Sequence, residues 1–266
     1  MKGVVFYHSA TGNTKLGLEI LALAMKKAGK TLELVSFSGA KYHNYTSYDF
    51  IGVGSPVFGW HSSPVVDAAL DKLKMFAGKP AFVFMTCAMF PDNAAVMLSN
   101  DVKARGLKVL TKHVSTFEDS FTPTRFSVYI HNQGKPGKKE AQEIAGFANK
   151  LGKLLDRFNN GEQVPEDNEM LIPTPFTLIA QAARPPVLRA LMGNRVVSSA
   201  CDMCKICMHE CPVGAIKMNP YPSFNDRCIG CWACVNICPT DAIISPFANG
   251  RPTYKGPKKT AEELLA

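Results

Sequence analysis

Apolar positions along the first part of the chain fall alternately into short unbroken runs and into helical spacing. Residues 2–8, KGVVFYH, are a run of strand length, suited to a strand buried on both faces. Leu16, Leu18, Ile20, Leu21, Leu23, Ala24 and Met25 then recur at helical spacing as far as Gly29, which predicts a helix and its stop. Further strands are predicted at residues 31–37, from residue 48 into the loop ending at 64, from residue 81 into a loop reaching 95, and at 107–117. Ser63-Pro64 supplies a cap and a first-turn proline for a helix carrying Val65, Val66, Ala69, Leu70 and Leu73. Residues 138–158 repeat apolar positions on one face of a closing helix. Strands alternating with helices imply an α/β domain built on a doubly wound, five-stranded parallel sheet. Residues 118–139 break the rhythm, and FSVYI at 126–130 is expected to form an extra short strand or a lid.

The pattern changes at NNGEQVPEDNEM, residues 159–170, a polar stretch containing Gly and Pro that ends a first domain of residues 1–160. Residues 161–197 read as a linker whose apolar part carries short helices near 176–183 and 187–192. They are expected to pack between domains; an amphipathic membrane anchor, with Arg184, Arg189 and Arg195 on one side, is the other reading. A small second domain spans 198–250, and a basic tail containing KGPKK spans 251–266.

That second domain holds eight of the nine cysteines. CDMCKICMHECP and CIGCWACVNICP each have the form C-x2-C-x2-C-x3-C-P, and the second repeats the first 27 residues on. This is the bacterial-ferredoxin spacing for iron–sulfur ligation, in which the fourth cysteine of each loop serves the other cluster. Cys201, Cys204, Cys207 and Cys238 are thus expected to hold one [4Fe–4S] cluster, and Cys228, Cys231, Cys234 and Cys211 the second. Structural zinc, which favours separated C-x2-C pairs, fits a doubled triple spacing poorly. Disulfides belong to oxidising compartments, whereas the opening MKGVVFYHS has no signal-peptide pattern, so a cytoplasmic location is expected. A module this small gains much of its stability from cluster ligation. His209 and Glu210 lie inside the first loop, with solvent exposure the expected state for both.

Composition alters the picture little. Hydrophobic residues make up 46% of the 266 and charged residues 20%, ordinary for a globular protein, and no apolar run is long enough for a membrane span. The formal charge of +8 drops by about 4 once two oxidised clusters bind and by about 2 more with a flavin phosphate. The remaining basic surface suits an acidic redox partner better than nucleic acid.

Between the first strand and helix stand Ser9, Ala10, Thr11, Gly12, Asn13 and Thr14. Strand, small-hydroxyl loop and helix bind phosphate through backbone N–H groups and hydroxyls without a positive side chain. A helix cap at Asn13 or Thr14 is the reading that needs no ligand. The loop is neither G-x4-G-K-[ST] nor G-x-G-x-x-G. S-x-T-G-N-T at this place resembles the FMN phosphate loop of flavodoxins. That resemblance implies a sheet order 2-1-3-4-5 with FMN at the switch between strands one and three, and phosphate contacts from Ser9, Thr11, Gly12, Asn13 and Thr14. It implies a first flavin loop of Ser55, Pro56, Val57, Phe58, Gly59 and Trp60, with Trp60 or Phe58 stacked on the ring. A second follows at Thr86, Cys87, Ala88, Met89 and Phe90, where flavodoxins often carry a Tyr that is missing here. Cys87 reads as an apolar filler, with a redox thiol the other reading. His8, His61 and His113 are expected near strand ends and have no partner visible in the sequence.

As a whole the chain resembles flavodoxin–ferredoxin fusion proteins, a flavodoxin-like domain followed by a small α+β 2[4Fe-4S] ferredoxin-like domain. The resemblance implies electron transfer between FMN, two [4Fe–4S] clusters and redox protein partners such as a ferredoxin or an oxidoreductase, with no acid–base catalytic residue and with a homodimer open. The other expectation is an FMN-dependent reductase of a small organic substrate bound where the missing Tyr leaves the flavin uncovered, near His61, Cys87 and Phe90.

Overall fold

A computed structural model describes residues 1–125, 132–182, 185–192, 195–248 and 250–266. The segment 126–130, and Arg184, lie outside these residues. Strands β1 (Lys2–Tyr7), β2 (Thr31–Ser36), β3 (Phe50–Pro56), β4 (Pro80–Cys87) and β5 (Lys108–Thr116) pair in parallel in the order β2-β1-β3-β4-β5. That is the flavodoxin-like doubly wound order, whose crevice opens where β1 and β3 diverge. All eight residues of β4 are buried, as a central strand covered on both faces requires.

Side-chain alternation divides the apolar content between two cores. Val5, Phe82 and Phe84 face helices α1 (Asn13–Lys27) and α4 (Lys138–Asn159). Val4, Phe6, Val83 and Met85 face α3 (Ala94–Lys103) and the segment after β3. That segment departs from expectation. Ser63 caps α2 through a bond from the Val65 N–H (3.3 Å), but α2 ends at Asp67, and Leu70–Phe76 continue as a 3₁₀ helix. Three residues per turn puts Leu70, Leu73 and Phe76 on one face, and all three are buried.

The linker is docked on the sheet domain. Helix α5 (Pro175–Ala182) is fixed by a polar knot in which Asn93 donates to the Ile172 carbonyl (2.7 Å) and Thr177 Oγ1 donates to Asp92 (2.8 Å). Helix α6 (Pro185–Met192) runs against the second cysteine loop, and Arg189 donates to the Asp226 carbonyl. The arginines of the membrane-anchor reading therefore do not share one free face: Arg195 reaches a cysteine. No helix among the described residues is long and apolar enough to cross a membrane.

The cysteine module pairs β6 (Val196–Val197) with β9 (Ile243–Ile244), and β7 (Ile216–Asn219) with β8 (Tyr221–Phe224), both antiparallel. One-turn helices α7 (Ile206–His209) and α8 (Ala233–Ile237) follow Lys205 and Trp232, whose φ values are +64° and +62°. Met203 and Gly230, and Gly214 and Asp241, share the same left-handed bend. The sequence repeat is therefore also a backbone repeat.

The stretch expected to be a basic tail returns to the first domain. Its helix α9 (Ala261–Leu265), held by a Thr260–Glu263 capping box, buries Ala261 and Leu264 against α1 and α4. KGPKK contributes charge at the surface, while the apolar i, i+3 pair behind it supplies the anchor.

Candidate redox site

Gly12 is the N-cap of α1 at φ +94°, with no side-chain cap. Asn13 and Thr14 are the helix's first residues, so the alternative reading of either as a ligand-free cap does not hold. Backbone N–H groups from Ala10 to Thr14 take no partner among the described residues. Orphan donors at a helix start are what an anion uses. Thr14 Oγ1 pairs with Thr86 Oγ1 at 2.8 Å, linking the loop to the end of β4, and Ser9 Oγ accepts from the Lys15 N–H. Thr11 stays partly exposed. Asn13 turns elsewhere: its amide donates to the Glu118 carbonyl (2.8 Å) and its oxygen accepts from the Tyr254 hydroxyl.

Ser55 is fully buried and structural. Its hydroxyl donates to the Pro56 carbonyl and accepts from the Ser63 N–H (2.9 Å). Pro56, Val57, Phe58, Gly59 and Trp60 are half-buried, with a Phe58–His61 bridge closing the turn. Both Gly59 and Trp60 have positive φ. From the second loop, Thr86 and Cys87 are buried strand residues, Ala88 is half-buried, and Met89 and Phe90 are exposed. Burial pushes the Cys87 thiol up to about 11, which keeps it protonated at neutral pH, as a filler would be. Phe176 of α5 reaches both loops, 5.1 Å from Trp60 and 5.3 Å from Phe90 between ring centroids. This aromatic comes from the linker, about ninety residues further along the chain. No local spacing could have announced it.

The histidines separate. His61 sits 3.1 Å from Ser62 Oγ and 3.6 Å from Asp67. His8 is buried with neither ring nitrogen partnered among the described residues, and burial lowers its pKa to about 4. His113 lies between Phe84 and Phe147, lowered likewise to about 4 by burial. His209 and Glu210 are exposed.

Cys211, from the first loop, lines one small cavity together with Cys228, Cys231 and Cys234 of the second. On the other side, Cys207 is raised by burial and further by the neighbouring Cys204, Cys238 and Cys201. The Ala215 N–H donates to Cys211 Sγ (3.2 Å) and the Ala242 N–H to Cys238 Sγ (3.3 Å), equivalent contacts of the two repeats. Burial, then neighbouring thiolates, holds the Cys231 thiol at about 11 and pushes Cys234 higher still. Buried thiols of this kind ionise only against a cationic centre, so ligation and deprotonation come together. Among the described residues no three His, Cys, Asp or Glu converge on one metal ion.

Asn236, between Cys234 and Cys238, joins the two sites. It donates to the Ser120 carbonyl (2.7 Å) and accepts from Thr122 and from the Tyr254 N–H (2.9 Å). Tyr254 in turn reaches Asn13, so one residue links the anion loop to the cysteine loop. Pro257 lies 3.0 Å from where a Cβ on Gly12 would stand. Asn236 is an unspecified position of the second cysteine motif, and Tyr254 lies outside it.

Fold and cysteines together define a flavodoxin-like α/β domain joined to an iron–sulfur module. Residues 195–217 and 223–244 match the 4Fe-4S binding domain family. No curated protein matches the chain. Among solved structures it is similar to a flavodoxin from the domain Archaea, at 18% identity and TM-score 0.46 over 59% of this chain and 99% of that one. It is similar to Megasphaera elsdenii flavodoxin at 22% identity and TM-score 0.43, over 56% and 99%. Rubredoxin oxygen:oxidoreductase from Desulfovibrio gigas shares 16% identity at TM-score 0.45, over 58% of this chain and 36% of that one.

Proposed function

We propose that this chain is an electron-transfer flavoprotein, holding FMN on its sheet domain and two [4Fe–4S] clusters in its cysteine module, and exchanging electrons with an external redox protein. Bound FMN supplies two electrons and each cluster one, while the protein places them. The N–H groups of residues 10–14, with the hydroxyls of Ser9 and Thr11, hold the phosphate. Trp60, Phe90 and Phe176 supply the aromatic wall at the flavin end. Cys201, Cys204, Cys207 and Cys238 hold the first cluster, and Cys228, Cys231, Cys234 and Cys211 the second.

One observation carries this reading: Cys211 shares a cavity with the three cysteines of the other loop. The second loop faces the sheet domain, with Trp232 edge-on to Phe121 at 5.6 Å. The first loop faces outward with Cys204, Met203 and Ile206 exposed. Electrons therefore pass between flavin and second cluster inside the chain, and between first cluster and partner at the surface. A small-substrate reductase would need an open flavin face, and Phe176 packed beside Trp60 and Phe90 supports the carrier reading instead.

Anaerobic reconstitution tests the proposal, with about eight irons and about one FMN expected per chain. Cys211→Ala should halve the iron, removing the second cluster and sparing the first, with FMN unchanged. Thr11→Val should weaken FMN binding at constant iron. A preparation that stays free of iron and flavin refutes the reading, and Cys211→Ala retaining all its iron refutes the crossed ligation.

A further inference from the structure

The two cysteine loops share a backbone but not their surroundings. At the position where the first loop has Asp202, the second has buried Ile229; where the first has exposed Lys205, the second has Trp232, 1% exposed. The Asp202 carboxylate accepts from the Cys204 N–H at 3.1 Å, which sets a negative charge beside the first loop. The second loop instead receives a cation from outside the motif. Arg195 Nη1 donates to Cys228 Sγ at 3.0 Å, and its guanidinium lies 3.9 Å from the centre of the Phe224 ring. The repeat gives the first loop no counterpart of this contact: the residue 27 positions after Arg195 is Pro222. Lys255 approaches Cys238, but it binds the backbone carbonyl (2.7 Å) and is paired with Asp241 (2.6 Å). Arg195 and Trp232 both line the cavity that Cys228 and Cys231 share with Cys211, and the Trp232 indole N–H has no partner among the described residues.

We propose that Arg195, with the Trp232 indole N–H, raises the reduction potential of the second cluster above that of the first, so that the first electron taken up by the module rests beside the sheet domain. Reduction adds one electron to a cluster whose thiolates already make it negative. A cation and N–H donors at its sulfurs stabilise the added charge. Burial strengthens both effects by lowering the local dielectric. Asp202 acts in the opposite sense on the first cluster. The first electron then waits at the inner cluster, and the outer one fills only when a second arrives, which gives the module a two-electron store next to a two-electron flavin.

This inference rests on the two-cluster reading above. The test is an EPR-monitored redox titration of the reconstituted full chain, with iron measured on the same samples. The wild type should show two one-electron waves. Arg195→Gln should move the upper wave down by about tenfold in the reduction equilibrium, about 59 mV for one electron, and leave the lower wave in place. Arg195→Lys, which keeps the charge and loses the planar fork, should restore part of the shift, and Trp232→Phe should move the same wave by less. If Arg195→Gln loses iron, Arg195→Lys and Trp232→Phe read the upper wave at full iron. Waves that stay put, or that move together, at about eight irons per chain overturn the tuning. A wild type that never exceeds about four irons overturns the two-cluster reading instead.

Discussion

The sheet domain and the cysteine module are stabilised by different means. The first has two apolar cores flanking a five-stranded sheet, with Phe50, Phe82, Phe84, Leu18 and Leu151 all fully buried. Among the described residues the module's apolar cluster has ten buried members, and three of them are Cys207, Cys228 and Cys238. Its strands are two to four residues long and its helices four or five. Such short elements do not hold themselves together. One region keeps its shape by excluding water from hydrocarbon; under the proposed function the other does so by sulfur ligation. The contrast would let the same chain carry a sheet domain that folds without its cofactor and a module that depends on its metal.

The largest break in that comparison comes from removing iron. In a chelated, reduced protein, backbone amides of 198–248 should exchange at nearly unfolded rates, while β1, β3 and β4 keep their protection. Hydrogen exchange read by mass spectrometry checks this, and equal protection of the module with and without iron would sink it. The reciprocal change is smaller. Leu151→Ala opens a cavity between α4 and the sheet and should cost about 2–5 kcal/mol. Chemical denaturation followed by the sheet domain's CD should show the loss, while iron content in native buffer stays at the wild-type value.

The two regions were legible in the sequence to different depths. The five strands show as apolar runs, and the eight candidate ligands as a doubled spacing, because burial and ligation both leave periodic marks. The order β2-β1-β3-β4-β5 came from resemblance and is matched by the observed pairing. Contacts between regions leave no such marks. Phe176 reaches Trp60, Tyr254 reaches Asn13, and Asn236 reaches Ser120, each across a long stretch of chain. α9 was hidden for a related reason: KGPKK reads as solvated charge, and the apolar pair that anchors the helix is only two residues, Ala261 and Leu264. Helix α2 was overextended because i, i+3 spacing serves a 3₁₀ helix as well as an α-helix.

The smallest effect sharpens the comparison through pH, because the buried histidines sit in the apolar region and not in the sulfur-held one. Desolvation lowers His8 and His113 to about 4, from an ordinary value of 6.5. The folded state then binds fewer protons than the unfolded state between those two values, so stability falls as pH falls through that window. Between pH 7.5 and 5.5 each histidine should cost the sheet domain about 1 kcal/mol. His113→Phe, whose ring fits the stack between Phe84 and Phe147, should remove about half of the pH dependence. Urea midpoints at the two pH values measure it. A variant as pH-sensitive as the wild type would show that the protons are taken up elsewhere, and would leave burial of these two rings without its expected consequence.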